Sequence, residues 1–499
     1  MNVAEANPYG MLRIVNASNR SALSRRAASG AAIRLAPGIY VEGSSARLTD
    51  VANHHLYAIV AAIWPGAVLC GSTALCGGRP ENGMLFISRG GSGRKARLSL
   101  PGVSIVAVDG PGRLPGDMEM PERLFLSGPA RCLVENITLR GRPSVERAGT
   151  RAVEDRIDAL ARQGGPGALR RVLEQLDDLG SEFDPRAVDL VRHQLVALLG
   201  SFSVGRPDPQ SRRLLARLDG APYDDQRIGL LEGLVSVLRD RAPQPRPLHE
   251  VGSHFAWQPF FEAYFSNFIE GTEFGVDEAR RIAIDEVVPV ERPQDAHDVS
   301  ATFRLAADPV DRSLRPRSGR ALIDVLMSRH RTLMAARPEL RPGRLKDRRN
   351  FAGGYEFVTP ELVEGTLITG FDVVDQLTDA FARAVAMMAL ITECHPFDDG
   401  NGRIARLTAN AELSGAGEAR ITIPTVYRND YLAALAGFSR GVGRGESLIS
   451  VLEFAQRWTL AVDWTTFERA NRELQLVNAY LDPGIAEASG RRLQLPHQW

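Results

Sequence analysis

The sequence predicts a multidomain, mainly α-helical protein. It opens with a small α/β, winged-helix-like module and continues through helical segments to an all-α core with a small β-hairpin flap. Three observations predict this. The 499 residues suffice for two to four domains. From about residue 150 onward, leucines and valines recur at i, i+3 and i+4, a helical period. Gly/Pro-bracketed, strand-like pieces are confined to the first 150 residues and to a stretch near residue 350.

Residues 1–50 carry short amphipathic pieces and then GAAIRLAPGIYV, where Gly30 and Pro37-Gly38 bracket short strands. Helices followed by a hairpin make a winged-helix pattern, and this stretch holds six arginines against three acids. Residues 51–150 read as an α/β region. A helix breaks at Trp64-Pro65, a second short helix follows, and MLFISRGG, ARLSLPGVSIVAVDG and ERLFLSG…RCLVENITL are strand-like. Residues 151–245 form a helical connecting region with turns at Gly164-Gly165-Pro166 and Gly205-Arg206-Pro207, closed by the linker candidate RAPQPRPLHE at 241–250. The core region spans 246–465, and 466–499 reads as one helix with a loose tail.

Formal net charge is zero, so no global electrostatic argument favours nucleic acid or a membrane surface. The four cysteines (Cys70, Cys76, Cys132, Cys394) lack metal-ligand spacing and fit a reducing compartment. No run approaches transmembrane length, and the first residues lack the basic start and apolar core of a signal peptide. The expectation is a cytoplasmic protein with no membrane partner.

Residues 395–406, HPFDDGNGRIAR, concentrate the chemistry. His395 titrates near neutrality and suits a general base. Asp399 is a hard oxygen ligand of the kind Mg²⁺ takes beside phosphates. Gly400, Asn401 and Gly402 form a turn whose N–H groups converge on an anion, strengthened by a helix starting near Gly402. Arg403 and Arg406, at i,i+3, share a helix face and can grip neighbouring phosphates. Ile404, Leu407 and Ala411 seat the opposite face in a core. Residues 372–393, with apolar groups at Val374, Leu377, Phe381, Val385 and Met388, read as the helix that delivers His395.

This stretch resembles the motif of Fic-domain proteins, His-x-Phe-x-Asp/Glu-Gly-Asn-Gly-Arg-x-x-Arg, at every fixed position. The resemblance implies an α-helical enzyme, dependent on Mg²⁺, that transfers AMP from ATP to a Tyr, Thr or Ser hydroxyl of a protein substrate. It implies His395 as base, Phe397 as loop anchor and Asp399 as Mg²⁺ ligand. Gly400, Asn401, Gly402, Arg403 and Arg406 would bind ATP, with Arg403 on the β- and Arg406 on the γ-phosphate. Relatives that transfer other groups depart from the motif at the two glycines, and this chain does not. The stretch GRLKDRRNFAGGYEFVTPELV has little helical period. By resemblance it holds a target-docking flap, placed at Gly354, Tyr355, Glu356, Phe357 and Val358. Tyr431 is the candidate adenine contact, and a homodimer is a candidate assembly.

Ser266-Asn-Phe-Ile-Glu270-Gly271 resembles the Ser/Thr-x-x-x-Glu-Gly/Asn inhibitory motif of that family, on an aromatic-rich helix expected near 256–271. The resemblance implies that Glu270 pairs with Arg406 and blocks the γ-phosphate, with Ser266 in support. Asp295, His297 and Asp298 lie close together, but are read as a helix face rather than a metal site. Finally, residues 1–150 resemble AbiEi-type antitoxins and transcriptional regulators through the GIYV wing and the segment from Pro65 to Gly78. That resemblance implies operator DNA as a partner of Arg20, Arg25, Arg26 and Arg34, and a competing reading: a DNA-binding regulator whose Fic domain serves as nucleotide sensor or toxin.

Overall fold

The computed structural model describes residues 7–91, 96–139, 144–200, 205–247 and 255–496. The chain forms two compact units, Met1–Asp219 and Gly220–Trp499. Among the described residues no helix is long and apolar enough to cross a membrane.

The first unit begins with a three-stranded antiparallel sheet. Its central strand Ile39–Glu42 lies between Met11–Ile14 and Ala32–Ala36, and one helix, Arg20–Ala28, connects the first two strands in sequence. This corrects the helices-then-hairpin reading: Met11–Ile14 alternates exposed and half-buried residues, a period of two, and therefore pairs as a strand. Among the described residues a single helix precedes the hairpin. Arg20, Arg25, Arg26 and Arg34 are exposed, but Arg26 is bound to Glu42 at 3.0 Å.

A six-stranded mixed sheet follows, in the order Ala96–Leu100, Val103–Val108, Met84–Ser88, Val68–Leu69, Phe125–Leu126, Met118–Glu119. RCLVENITL is not strand-like: Pro129–Asn136 is a helix, started by a proline whose fixed φ suits the first turn. Arg131 is buried inside it and binds Glu135 one turn on at 2.6 Å and Asp117 at 2.7 Å. Thr150–Asp177 bends at Gly165, whose φ of +57° no helical residue adopts, just before Pro166. It packs with Pro185–Leu198 and Arg212–Leu218 around Val153, Ile157, Val191 and Leu214.

The second unit starts earlier than the composition suggests. Helix Asp225–Asp240 buries Ile228, Leu231, Leu234 and Leu238 in the same core as the helices Pro360–Val374, Ala380–Cys394 and Asn401–Ser414. Residues 241–247 are no free linker, because Arg241 and Arg246 bind Glu453 at 2.7 and 3.2 Å; residues 248–250 lie outside the described residues. The helix expected over 372–393 is two helices. Asp379 caps the second by accepting from Ala382 N–H, a stop-and-start that apolar periodicity does not register. A second cluster joins Phe260, Phe261 and Phe265 to Trp458, Trp464 and Phe467. The region after 465 therefore belongs to this unit and holds two helices, Phe467–Leu476 and Pro483–Ser489, rather than one with a loose tail.

Candidate active site

Helix Ala380–Cys394 is buried almost throughout and ends on His395, whose φ of +49° turns the chain out of the helix. The loop that follows is tied down from three directions. The Asn401 amide closes on the N–H and the carbonyl of Phe397, both at 2.9 Å. Asn350 donates to the same carbonyl at 3.1 Å and to that of His395 at 3.4 Å. Buried Lys346 donates through Nζ to Asn350 Oδ1 at 2.6 Å and to the Cys394 carbonyl at 3.3 Å, while its backbone N–H donates to Pro396 at 2.8 Å. Phe397 is fully buried and stacks on His330, ring centroids 3.9 Å apart. His330 Nδ1 accepts from the Gly343 N–H, which leaves Nε2–H to donate to the Asp399 carbonyl at 3.2 Å.

The same reasoning fixes the tautomer of His395. Its Nδ1 lies 3.1 Å from the Thr392 carbonyl, which can only accept, so Nδ1 carries the proton and Nε2 presents a lone pair. The ring stacks on Phe357, centroids 3.8 Å apart. Burial pushes its pKa down to about 4, so the imidazole is neutral and able to accept a proton at physiological pH.

The two adjacent acids separate in role. Asp398 is held by both nitrogens of an Arg341 fork, each bond 2.8 Å. Asp399 is exposed, with Arg403 as its ion-pair partner at 3.8 Å. Helix Asn401–Ser414 begins one residue earlier than expected, after Gly400 with φ +75°. Gly400 packs so closely on Met334 that a Cβ would meet its sulfur at 3.0 Å. Gly402 faces Glu270: a Cβ there would collide with Glu270 Oε1.

Both arginines are buried and paired. Arg406 donates to Glu270 Oε1 at 2.7 Å, and to Ser266 through both its Oγ and its carbonyl at 2.9 Å. Glu270 and Ser266 come from helix Gln258–Ile269 and its C-terminal residue, where Gly271 turns away with φ +87°. Arg428 Nε binds the Ile269 carbonyl at 3.0 Å and secures that end. Arg403 binds Asp298 at 2.9 Å and Asn267 at 3.3 Å.

Tyr431 differs from expectation. It is wholly buried in the core, its hydroxyl against Met388 sulfur and its ring 6.0 Å from the Arg406 guanidinium, so it offers no open face to a base. It packs there because the helix Arg428–Ser439 turns Tyr431, Ala434 and Phe438 inward.

The flap is a hairpin of Phe351–Ala352 against Tyr355–Glu356. Its two-residue turn is Gly353-Gly354, at φ +52° and +82°, which glycine adopts without a Cβ penalty. Placing the flap at 354–358 missed the first strand, and Val358 is core. Tyr355 donates to Glu393 at 2.6 Å, Ser439 hydrogen-bonds the other Glu393 oxygen, and Arg227 lies over the Tyr355 ring while donating to the Glu356 carbonyl.

Sequence reading missed Lys346, Asn350, His330, Arg227, Glu393 and Asn267, none of which belongs to a spaced motif. It discounted Asp298, which is buried against Arg403. His297 is half-buried and bonds the Thr332 carbonyl, and among the described residues no cluster of three or more His, Cys, Asp or Glu could hold a metal.

Residues 322–413 match the model of the Fic/DOC family. Protein adenylyltransferase fic-1 of Caenorhabditis elegans is 31% identical over 120 residues, 23% of this chain and 23% of that protein. Protein adenylyltransferase Fic of Nematostella vectensis is 27% identical over 186 residues, 36% of this chain and 44% of that protein. The chain thus spans between about a quarter and under half of the length of these relatives. Among solved structures, Fic-1 from C. elegans aligns at TM-score 0.36 and 16% identity, covering 66% of this chain and 86% of that one. A Fic domain containing signaling protein from Bacteroides thetaiotaomicron aligns at TM-score 0.33 and 21% identity, covering 46% and 96%. The matched residues run through His330, the hairpin, His395 and both motif arginines: this part of the chain is a Fic domain.

Proposed function

We propose that the second unit is a protein adenylyltransferase that uses Mg²⁺ and ATP and is held inactive by Glu270. The observation that carries the reading is the His395 imidazole, neutral and with Nε2 free, beside a glycine-lined helix N-terminus. A target hydroxyl reaching Nε2 gives up its proton as its oxygen attacks the α-phosphorus of ATP. The new O–P bond forms, the bond from the α-phosphorus to the bridging oxygen breaks, and pyrophosphate leaves. The N–H groups at Gly400–Gly402 and the positive helix end would hold the phosphates. Asn401 contributes only its backbone there, since its amide closes the loop. Asp399, open to solvent, fits Mg²⁺, which supplies charge neutralisation at the phosphates. The exposed strand Phe351–Ala352 would pair with a target segment by strand addition.

Glu270 supports self-inhibition in two ways: it occupies Arg406, and its Oε1 covers Gly402 where a phosphate would seat. The test is transfer of α-labelled AMP to protein by wild type, Glu270→Gly and His395→Ala/Glu270→Gly. Label in the Glu270→Gly lane alone is expected. Equal label in wild type and Glu270→Gly would overturn the inhibition, and silence in all lanes despite bound nucleotide would overturn AMP transfer.

A further inference from the structure

We propose that Asp298 is a positioning residue of the nucleotide site, fixing Arg403 as a charge-matched wall beside Asp399. The inference rests on the adenylyl-transfer reading. Arg403 is only 3% exposed. Its Nη1 is taken by Asp298 at 2.9 Å and Asn267 at 3.3 Å, and its Nε is buried without a hydrogen-bond partner. Nη2 lies 3.8 Å from the Met334 sulfur and 3.8 Å from Asp399 Oδ2. The end of the guanidinium that remains for a ligand therefore points to the exposed acid of the motif loop.

The two motif arginines are held by different kinds of acid. The Glu270 side chain is 29% exposed and sits at a helix end, so water can replace Arg406 as its partner. The Asp298 side chain is 2% exposed, in the middle of helix Pro293–Ala307, and water cannot replace Arg403 there. Asp298 is itself held by Arg337 at 3.0 Å, Arg337 by Asp295 at 2.7 Å, and Asp295 by Arg292 at 2.9 Å. The chain of charges runs from the phosphate site to the surface, and only its inner end is dry. Separating Arg403 from Asp298 would strand a buried charge, which is strongly unfavourable. Arg406 is thus built to change partner and Arg403 to keep its own.

Held this way, Arg403 adds little net charge to the site and contributes direction instead. It sets how far the phosphate chain can slide along the helix N-terminus, and hence whether the α-phosphorus lies in line with His395. Asn267, four residues from Ala263 whose carbonyl its amide binds, supports the same guanidinium from the inhibitory helix.

The experiment uses the full chain carrying Glu270→Gly, with fluorescent ATP and AMP for equilibrium binding and single-turnover transfer for rate. Asp298→Asn releases Arg403 with an uncompensated charge. The expected result is ATP bound about threefold more tightly, AMP binding unchanged, and transfer slower by about tenfold. ATP and AMP affinities falling together, or an unchanged rate, would overturn the proposal. Because Asp298→Asn strands a buried cation and can fail to fold, Asp298→Asn/Arg403→Gln is made beside Arg403→Gln. Equal transfer by these two shows that Asp298 acts through Arg403; a further loss in the double variant overturns that. A parent that binds no ATP would sink the adenylyl-transfer reading and this inference with it. A parent that binds and transfers while Asp298→Asn behaves identically sinks this inference alone.

Discussion

The Oε1 atom of Glu270 lies directly over Gly402, in the space a β-carbon would need, while bonded to Arg406 at 2.7 Å. The Glu270–Arg406 pair and the glycine-lined helix N-terminus therefore share one contact surface. Gly402→Ala should clash with the Glu270–Arg406 pair and destabilise the protein by about 1–3 kcal/mol, as overpacking does. Adding Glu270→Gly should restore the melting temperature but not ATP binding, because the methyl group still fills the cradle. Additive melting shifts in the double variant would contradict the shared surface.

His395 owes its low pKa chiefly to burial, and Phe357 covers one face of its ring. The lowered value means that the ring is neutral, and can act as a base, at every pH above about 4. In the Glu270→Gly protein, which also loses the Glu270 charge that raises the value, the acid limb of kcat/KM should therefore fall at or below about pH 4, under that of a free imidazole. Phe357→Ala admits water to the ring, favours its charged form and should move the limb upward. A limb that stays in place would show that Phe357 does not set the basicity of His395.

Lys346 clamps the base loop from behind through Asn350 and the Cys394 carbonyl. Burial lowers its pKa to about 8, so the amine is charged below that pH and neutral above it. Charge-assisted bonds are roughly twice as strong as neutral ones, so transfer should decline as pH rises through 8. Lys346→Met should slow transfer by about tenfold with nucleotide affinity unchanged, and should lose this alkaline limb. A wild-type-like rate with the limb intact would remove Lys346 from the positioning of His395.

What was legible in the sequence follows from what each signal measures. The motif placed His395, Asp399 and both arginines because their spacing along one loop and one helix is set by local geometry. The pairing of Glu270 with Arg406 is legible through a short motif on a helix whose aromatic pattern is itself local. Asp298 is not legible in the sequence because its partner is 105 residues away and nothing in QDAHDVSATF distinguishes a buried aspartate from a surface one. Tyr431 is buried in the core, and an inward-facing aromatic reads the same in sequence whether it lines a core or a ligand. The extent of the second unit was hidden too: helix Asp225–Asp240 has the same leucine period as the helices before it, and only packing shows which core takes it.

Tyr355 and Glu393 join the hairpin to the helix that ends on His395. Glu393 is buried, which pushes its carboxyl pKa up, while the donors Ser439 and Tyr355 and the charge of Arg227 pull it back. Tyr355→Phe removes one donor and leaves that oxygen with only the Arg227 ion pair at 3.4 Å, at a cost of about 1 kcal/mol. The strain should fall on the flap, since the exposed strand Phe351–Ala352 has little other packing. Tryptic cleavage at exposed Arg348 should therefore accelerate well beyond the change in global melting, and Phe357, two residues from Tyr355, should lose its hold on the His395 ring. The companion variant Glu393→Gln, which keeps the shape and the hydrogen bond from Tyr355, should be cut at nearly the wild-type rate. Equal cleavage of Tyr355→Phe and wild type would show that the hairpin is held by its backbone alone.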